Sequence, residues 1–299
     1  MATVKNYLSL VKFSHTVFAL PFALIGFTLG LRALFGGMDR DLLTDGFAFW
    51  FITRQLFWVI ICMVTARSAA MAFNRYLDRH FDSKNPRTAV REIPSGVITA
   101  KSALAFTIIS CVLFVVACYF INAICFYLSP VALFVILFYS YTKRFTALCH
   151  LVLGLGLSLA PIGAYLAVTG EFAWLPLLFS FAVICWVSGF DIIYALQDVE
   201  FDRSQQLYSI PGVLGKSRAL RVSELLHLLS AGFVVAAGLY GHFHWLYWVG
   251  IIVFIGMLIY QHSIVKPDDL SKVNIAFMTA NGIASVVFGI LVIADMFVN

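Results

Sequence analysis

Two segments of the chain carry aspartates at helical spacing, and they hold most of the side chains suited to chemistry. In the first segment, NRYLDRHFD, an asparagine and two aspartates stand four residues apart at Asn74, Asp78 and Asp82. A step of four residues turns a helix only about 40° beyond a full turn, so the three side chains share one face. We call these three residues the first aspartate row.

The second segment, DIIYALQDVEFD, has the same character over a longer stretch. Its aspartates, Asp191, Asp198 and Asp202, are separated by seven and four residues. This spacing places them within about 40° of one another around a helix axis. Tyr194 follows one turn after the first of them. We call these three aspartates the second aspartate row.

Bare carboxylates in such rows would be unfavourable. They repel one another, and the C-terminus of a helix already carries partial negative charge. Because the rows offer oxygen ligands without a nearby His or Cys pair, they favour a hard cation, and Mg²⁺ suits them best. Basic residues in the adjacent loops favour an anionic ligand. The combination indicates a diphosphate held between metal and Lys or Arg, and the alternative is two ordinary helix ends with solvated charges.

The remainder of the chain predicts a membrane protein. Its 299 residues are 62% hydrophobic and 12% charged, whereas soluble domains carry about 25% charged residues. A membrane span needs about 20 mostly apolar residues. We therefore predict an all-α polytopic fold with about nine spans around a central cavity that opens to the cytoplasmic side. The predicted spans are 13–35, 48–77, 102–121, 123–142, 147–169, 173–200, 219–240, 245–263 and 273–297.

Basic residues alternate between the predicted connections. They occur before the first span and in every second loop, and are nearly absent elsewhere apart from Arg40. The positive-inside rule then predicts a cytoplasmic N-terminus in the inner (cytoplasmic) membrane. The segments IPSGVITAKSAL and IPGVLGKSRAL follow the second and sixth spans, which indicates a parallel repeat of helices 2–5 and 6–9 within one domain, residues 1–299. We expect membrane lipid, and no nucleic acid, among the partners.

Several polar residues outside the rows carry weaker signals. Arg67 lies seven residues before Asn74 on nearly the same face. It is open whether Arg67 pairs with the first row, binds the carboxylate of an acceptor, or forms a helix-packing ion pair. The loop with Lys84, Arg87 and Arg91 could cap the site, follow the positive-inside rule or contact anionic lipid, and we favour a combination of these roles. Four histidines without metal-ligand spacing are expected to be structural or interfacial: His15, His80, His150 and His227.

At these rows the chain resembles the UbiA-type family of intramembrane prenyltransferases. The family's motif N-x-x-x-D-x-x-x-D matches the first row, and its second motif, with an internal tyrosine, matches the second row and Tyr194. The stretches RTAVREIPSG, YSYTKRFT and SIPGVLGK also agree, so the resemblance spans most of the chain. Within the family, the chain is most similar to enzymes that prenylate 4-hydroxybenzoate.

The resemblance implies a reaction. A polyprenyl group would pass from a polyprenyl diphosphate to a phenolic carboxylic acid like 4-hydroxybenzoate in ubiquinone biosynthesis, with Mg²⁺ and through an allylic carbocation. The alternative acceptor is a dihydroxynaphthoate in menaquinone biosynthesis. A transporter with acidic ion-binding helices is the non-enzyme alternative, although its acidic residues should lie near the bilayer midplane.

The resemblance also implies roles for individual residues. The expected metal ligands are Asp78, Asp82, Asp198 and Asp202. The expected substrate-binding residues are Asn74, Arg67, Arg79, Lys143, Arg144, Tyr139 and Tyr141. Among these, Arg79, Lys143 and Arg144 would neutralise the diphosphate, and Asn74 would orient the first row. The faces of Tyr139, Tyr141 and Tyr194 would stabilise the carbocation. The expected catalytic residues are Asp78, Asp198, Tyr194 and Asp191, the last assisting loss of the ring proton.

Overall fold

The computed structural model describes residues 3–11, 18–36 and 46–298, and all regular structure within these ranges is helical. The predicted fold class, an all-α polytopic membrane protein, is confirmed. The first residues of the predicted span 13–35, and Arg40, lie outside the described residues. The helices are α1 Val4–Leu10, α2 Leu20–Phe35, α3 Gly46–Asp82, α4 Ala100–Ile121, α5 Ala123–Thr142, α6 Cys149–Thr169, α7 Trp174–Ala195, α8 Val199–Ser204, α9 Ile210–Leu214, α10 Lys216–Tyr240, α11 Trp245–Ile264 and α12 Asn281–Asp295.

Within the described ranges, eight helical stretches are long and apolar enough to cross a membrane. They are α3, α4, α5, α6, α7 continued through α8, α10, α11, and α12 with the turn before it. Helix α2 is apolar but has only 16 residues. A count of nine therefore stays a prediction, since it requires α2 to cross as well.

Local sequence explains the sharp turn between α4 and α5. Asn122 ends α4 in extended backbone, and its side-chain oxygen accepts a hydrogen bond from the N–H of Cys125 in the first turn of α5. Its amide nitrogen donates to the carbonyl of Leu166 on α6, 2.8 Å away. One capping residue thus starts a helix and also fixes that turn against α6.

Helices α2 and α6 pack in very close contact. A Cβ atom added to Gly26 would lie 2.0 Å from the carbonyl oxygen of Pro161, and one added to Gly30 would lie 2.8 Å from Cβ of Val168. Only glycine permits this approach, as in other membrane helix pairs that use small residues. Pro161 itself lies inside α6, which membrane helices tolerate when neighbours satisfy the freed backbone groups.

The two aspartate rows end two of the long helices. Helix α3 runs without interruption to Asp82, so the first row lies on one regular helix. The second row differs from the expected single helix, because a 3₁₀ turn at Leu196–Asp198 separates α7 from α8. We call the end of the bundle that carries both rows the aspartate end.

Candidate active site

Asp78 is the most heavily neutralised carboxylate of the first row. It is buried, and Nζ of Lys143 lies 3.3 Å from its Oδ2 while Nη2 of Arg144 lies 3.4 Å from its Oδ1. Asn74 donates to Oδ2 from one turn earlier, at 3.3 Å. The contacts bring together Asn74, Lys143 and Arg144, three of the residues predicted to bind substrate.

Asp82 is held by the segment that follows α3. Nη1 of Arg91 lies 2.6 Å from its Oδ1, and the hydroxyl of Thr88 donates to its main-chain carbonyl at 3.2 Å. The other carboxylate oxygen, Oδ2, is buried and has no hydrogen-bond partner among the described residues. A buried anionic oxygen without a donor is costly, so this atom is suited to a cationic ligand.

Asp198 of the second row is also bound by the segment after α3. Arg87 contacts both of its carboxylate oxygens, with Nε 3.0 Å from Oδ1, and Asn85 donates to Oδ1 at 3.2 Å. The same guanidinium donates to the Tyr194 hydroxyl at 3.0 Å and lies 5.2 Å above that ring. Arg87 on Asp198 and Arg91 on Asp82 thus bring this loop into contact with both rows, and its role as a cap stays a prediction.

The other two aspartates of the second row have polar partners of a different kind. Ser209 donates to Oδ2 of the buried Asp202 at 2.9 Å. Oδ2 of Asp191 lies 2.7 Å from Nδ1 of His150 on α6. His150 was expected to be structural or interfacial, and its contact with the second row was missed. The two residues are 41 positions apart, and no local spacing signals such a pair.

Lys143 shows that the two rows share one site. Burial alone lowers the pKa of its ammonium, but the negative charges of Asp78, Asp202 and Asp82 outweigh this effect and raise the pKa above its ordinary value. One ammonium therefore interacts with aspartates of both rows. Asn85, three residues after Asp82, reaches Asp198 on the other row. The rows do not point apart into lipid or solvent.

The oxygen ligands that the two rows offer fit a hard divalent cation. Every candidate ligand is a carboxylate oxygen, and Oδ2 of Asp82 is buried without a hydrogen-bond donor in the described part of the chain. Among the described residues, no group of three or more His, Cys, Asp or Glu side chains is arranged to hold a metal ion. Mg²⁺ commonly uses one or two carboxylates together with substrate phosphates. The rows fit this mode of binding better than an all-protein cage.

Two of the predicted substrate-binding residues lie beside the rows without an ion pair to them. Arg79 donates to the carbonyl of Tyr76 at 2.6 Å, and its guanidinium lies 4.5 Å from the centre of that ring. Tyr141 lies under the guanidinium of Arg144, 5.3 Å away. In the part of the chain that is described, the ion pairs of the first row come from Lys143, Arg144 and Arg91.

An apolar cavity of about 420 Å³ lies between α3, α4, α5 and α6. Met71, one turn before Asn74, belongs to its wall, so the cavity begins close to the first row. Arg67 and Tyr139 contribute polar groups to a wall that is otherwise mostly aliphatic. The site thus combines clustered charges with an adjoining space for an apolar group.

The fold and the site define a polytopic membrane protein in which a charged site adjoins an apolar cavity. The family model described as the UbiA prenyltransferase family matches residues 42–283. The chain belongs to the UbiA prenyltransferase family, and it is a prenyltransferase. The predicted resemblance is thereby confirmed, and membership in this family supports the enzyme over the transporter.

Curated relatives and solved structures agree with this assignment. The chain is 29% identical to the 4-hydroxybenzoate octaprenyltransferase of Francisella tularensis subsp. mediasiatica (strain FSC147), covering 78% of this chain and 82% of the relative. It is also similar to a UbiA homologue from Aeropyrum pernix K1, with a TM-score of 0.76, 27% identity and coverage of 95% and 97%. A UbiA homologue from Archaeoglobus fulgidus, bound to GPP and Mg²⁺, shares the fold with a TM-score of 0.68, 20% identity and coverage of 98% and 100%.

Proposed function

We propose that this protein transfers a polyprenyl group from a polyprenyl diphosphate to a phenolic carboxylic acid of the 4-hydroxybenzoate type, in a reaction that requires Mg²⁺. The observation that carries the proposal is the single charged site formed by both aspartate rows beside an apolar cavity. The names of the curated relatives and the GPP and Mg²⁺ in the archaeal homologue support it.

The charged half of the site would bind the diphosphate. Asp78, Asp82, Asp198 and Asp202 would hold Mg²⁺, which when bound offsets the negative charge of the departing diphosphate. Lys143 and Arg144 would donate to phosphate oxygens, as would Arg79 after leaving Tyr76. Arg87 and Arg91 contact two of these carboxylates. Both guanidiniums would therefore exchange a carboxylate for a phosphate oxygen when substrate binds.

The apolar cavity would receive the prenyl chain. The allylic C–O bond breaks with its electron pair going to the diphosphate oxygen, and the carbocation left behind is stabilised by the faces of Tyr194 and Tyr139. Tyr141, which is exposed and lies under Arg144, is not placed to share this role. The ring carbon ortho to the acceptor hydroxyl then forms the new C–C bond and loses its proton to Asp191. The aliphatic wall keeps water from the cation.

Arg67 would bind the carboxylate of the acceptor. It lines the cavity together with Tyr139, on the same helix as the first row. A guanidinium matches a carboxylate with two parallel hydrogen bonds. Both 4-hydroxybenzoate and a dihydroxynaphthoate carry such a group, so the contact suits either acceptor. We further propose that the aspartate end and the N-terminus face the cytoplasm, in line with the positive-inside rule.

The experiment is prenyl transfer in membranes that contain the protein, with radiolabelled geranyl diphosphate, Mg²⁺, and either 4-hydroxybenzoate or 1,4-dihydroxy-2-naphthoate. Labelled product should form with one acceptor, and should disappear in excess EDTA and in Asp78→Asn and Asp198→Asn. Asp268→Asn, which changes an exposed aspartate outside the rows, is the matched control and should keep full activity. Full turnover in EDTA would rule out the metal-dependent reaction.

A further inference from the structure

A short segment between α8 and α10 contacts the second aspartate row at two points. In this segment, residues 207–212, the Ser209 hydroxyl donates to Asp202, and the main-chain N–H of Ile210 points at Nε2 of His150, 3.3 Å away. His150 in turn contacts Asp191 through Nδ1 at 2.7 Å. The segment therefore reaches Asp202 directly and Asp191 through one imidazole.

The hydrogen bond from Ile210 determines the tautomer of His150. A neutral imidazole has one N–H and one acceptor nitrogen. Because Nε2 accepts from the Ile210 N–H, the proton lies on Nδ1 and is donated to the Asp191 carboxylate. The side chain of His150 is only 3% exposed, whereas that of Asp191 is 24% exposed. A buried donor thus holds a carboxylate that remains partly accessible.

The same segment also holds the connection between α5 and α6. The N–H of Tyr208 donates to the carbonyl of Lys143 at 2.7 Å, and the thiol of Cys149 donates to the carbonyl of Tyr208 at 3.6 Å. Lys143 begins this connection and His150 lies in the first turn of α6 after it, and each contacts an aspartate of a different row. The segment therefore fixes the start of α6, where His150 lies.

We infer that His150 is a positioning residue, which orients the Asp191 carboxylate for removal of the ring proton, and that the Ile210 N–H selects the tautomer that allows it. The inference rests on the proposed function, in which Asp191 takes that proton. A purely structural histidine would stabilise the helix contacts of α6 equally well in the absence of Asp191. The two roles are separated by asking whether the effect of His150 depends on Asp191.

The test is a double-mutant cycle on turnover with geranyl diphosphate and whichever acceptor the wild type uses. H150L should lower kcat about tenfold, part of the roughly 10²- to 10⁴-fold that a general base supplies. The KM for geranyl diphosphate should stay within about twofold, since a positioning effect on Asp191 leaves ground-state binding of the donor unchanged. H150Q, which keeps an N–H donor, should recover most of the loss.

The decisive comparison uses the D191N variant, which lacks the Asp191 carboxylate. In D191N, H150L should cause no further loss, because its effect passes through Asp191. An equal loss in both backgrounds, or full activity of H150L, would overturn the inference. His244→Leu, an exposed histidine at the opposite end of the bundle, is the matched control.

A second variant covers the case in which H150L fails to fold. Ile210→Pro deletes the N–H at the first position of α9, where proline is accepted. The preceding Ser209 has φ −141° and ψ 155°, which is compatible with a following proline. I210P should lower kcat by a smaller factor than H150L, and again only when Asp191 is present. Unchanged turnover in I210P would refute the role assigned to the Ile210 N–H.

Histidine ¹⁵N spectra of the purified protein give a readout that does not depend on activity. The His150 resonances, assigned by their loss in H150Q, should show a protonated Nδ1 and should shift in D191N. An Nε2–H tautomer would contradict the inference even in an active enzyme. If the wild type transfers no prenyl group but the spectra show the expected tautomer, the proposed reaction fails while the contact stands.

Discussion

The two halves of the molecule are built from similar apolar helices, yet one is hollow and the other is filled. Helices α3 to α6 surround the cavity of about 420 Å³. Helices α7 and α10 to α12 close around aromatic rings instead. The Phe22 ring on α2 lies 5.3 Å from that of Trp186, and the rings of Phe254 and Phe288 are 5.2 Å apart. The same kind of sequence thus surrounds a cavity in one half and packs densely in the other.

Glycines show how this difference arises. A Cβ atom added to Gly163, in the cavity wall on α6, would meet nothing within 4 Å. A Cβ atom added to Gly189 on α7 would lie 2.3 Å from the ring of His227. Gly163 thus leaves open space at the cavity, whereas Gly189 makes room for the side chain of a neighbouring helix. Residue type alone does not distinguish these two uses.

The largest effect is expected from removing one of the carboxylates proposed to bind Mg²⁺ in either half. Asp82→Asn and Asp202→Asn should each reduce turnover by about 100-fold or more, since each removes a charge on which transition-state stabilisation depends. Rates are measured at saturating geranyl diphosphate, with Asp268→Asn as control. If one variant keeps nearly full activity while the other is inactive, the two halves do not contribute equivalent rows.

The sequence predicts the geometry of the first aspartate row better than that of the second. The first row lies on an uninterrupted helix, so the period of Asn74, Asp78 and Asp82 was sufficient to predict its shared face. The second row is interrupted by a 3₁₀ turn that ends at Asp198, and apolar periodicity does not report this turn. The all-α class and several helix boundaries, such as the start of α5 at Ala123, also follow from hydrophobic run length.

The partners of the aspartates were harder to predict than the aspartates themselves. Arg87 is 111 positions from Asp198, and His150 is 41 positions from Asp191. Such contacts depend on how α3, α6 and α7 pack and where their connections cross, and no local spacing encodes this. The nine-span count and the parallel repeat stay predictions.

The next largest effect concerns Lys143, which interacts with aspartates of both halves. Lys143→Met should lower kcat/KM for geranyl diphosphate about 10- to 100-fold, because it removes a charge-assisted phosphate donor. Lys101→Met, an exposed lysine at the start of α4, is the control. A loss no greater than that of the control would show that the rows do not need this ammonium.

The pH dependence of the Lys143 contribution follows from its raised pKa. A group whose folded pKa lies above its unfolded value stabilises the folded state fully below the unfolded pKa, about 10.4 for lysine. That stabilisation is lost only as the pH rises through the folded pKa. The difference in melting temperature between wild type and K143M should therefore be constant from pH 6 to pH 9. A difference that changes within this range would contradict the assignment.

A smaller and selective effect is expected from filling the hollow half. Gly163→Leu should leave the melting temperature nearly unchanged and reduce transfer from long polyprenyl diphosphates more than from geranyl diphosphate. Gly256→Leu, at an exposed glycine of α11 outside the cavity, should affect neither donor. By contrast, Gly189→Val should destabilise the filled half by about 1–3 kcal/mol through overpacking. Equal losses of long and short donors in G163L would place the prenyl chain elsewhere.

The smallest effect separates the two arginines of the segment after α3. Arg87 bonds both oxygens of Asp198 and the hydroxyl of Tyr194, whereas Arg91 makes one ion pair, to Asp82. Lysine retains the positive charge of arginine but lacks the planar guanidinium with its parallel N–H groups. It therefore replaces arginine better in a single ion pair than in a bidentate contact. Arg87→Lys should therefore lower kcat/KM several-fold more than Arg91→Lys, measured side by side with geranyl diphosphate. The reverse order would mean that the second row is held by charge alone, and that the geometry at Tyr194 does not matter to turnover.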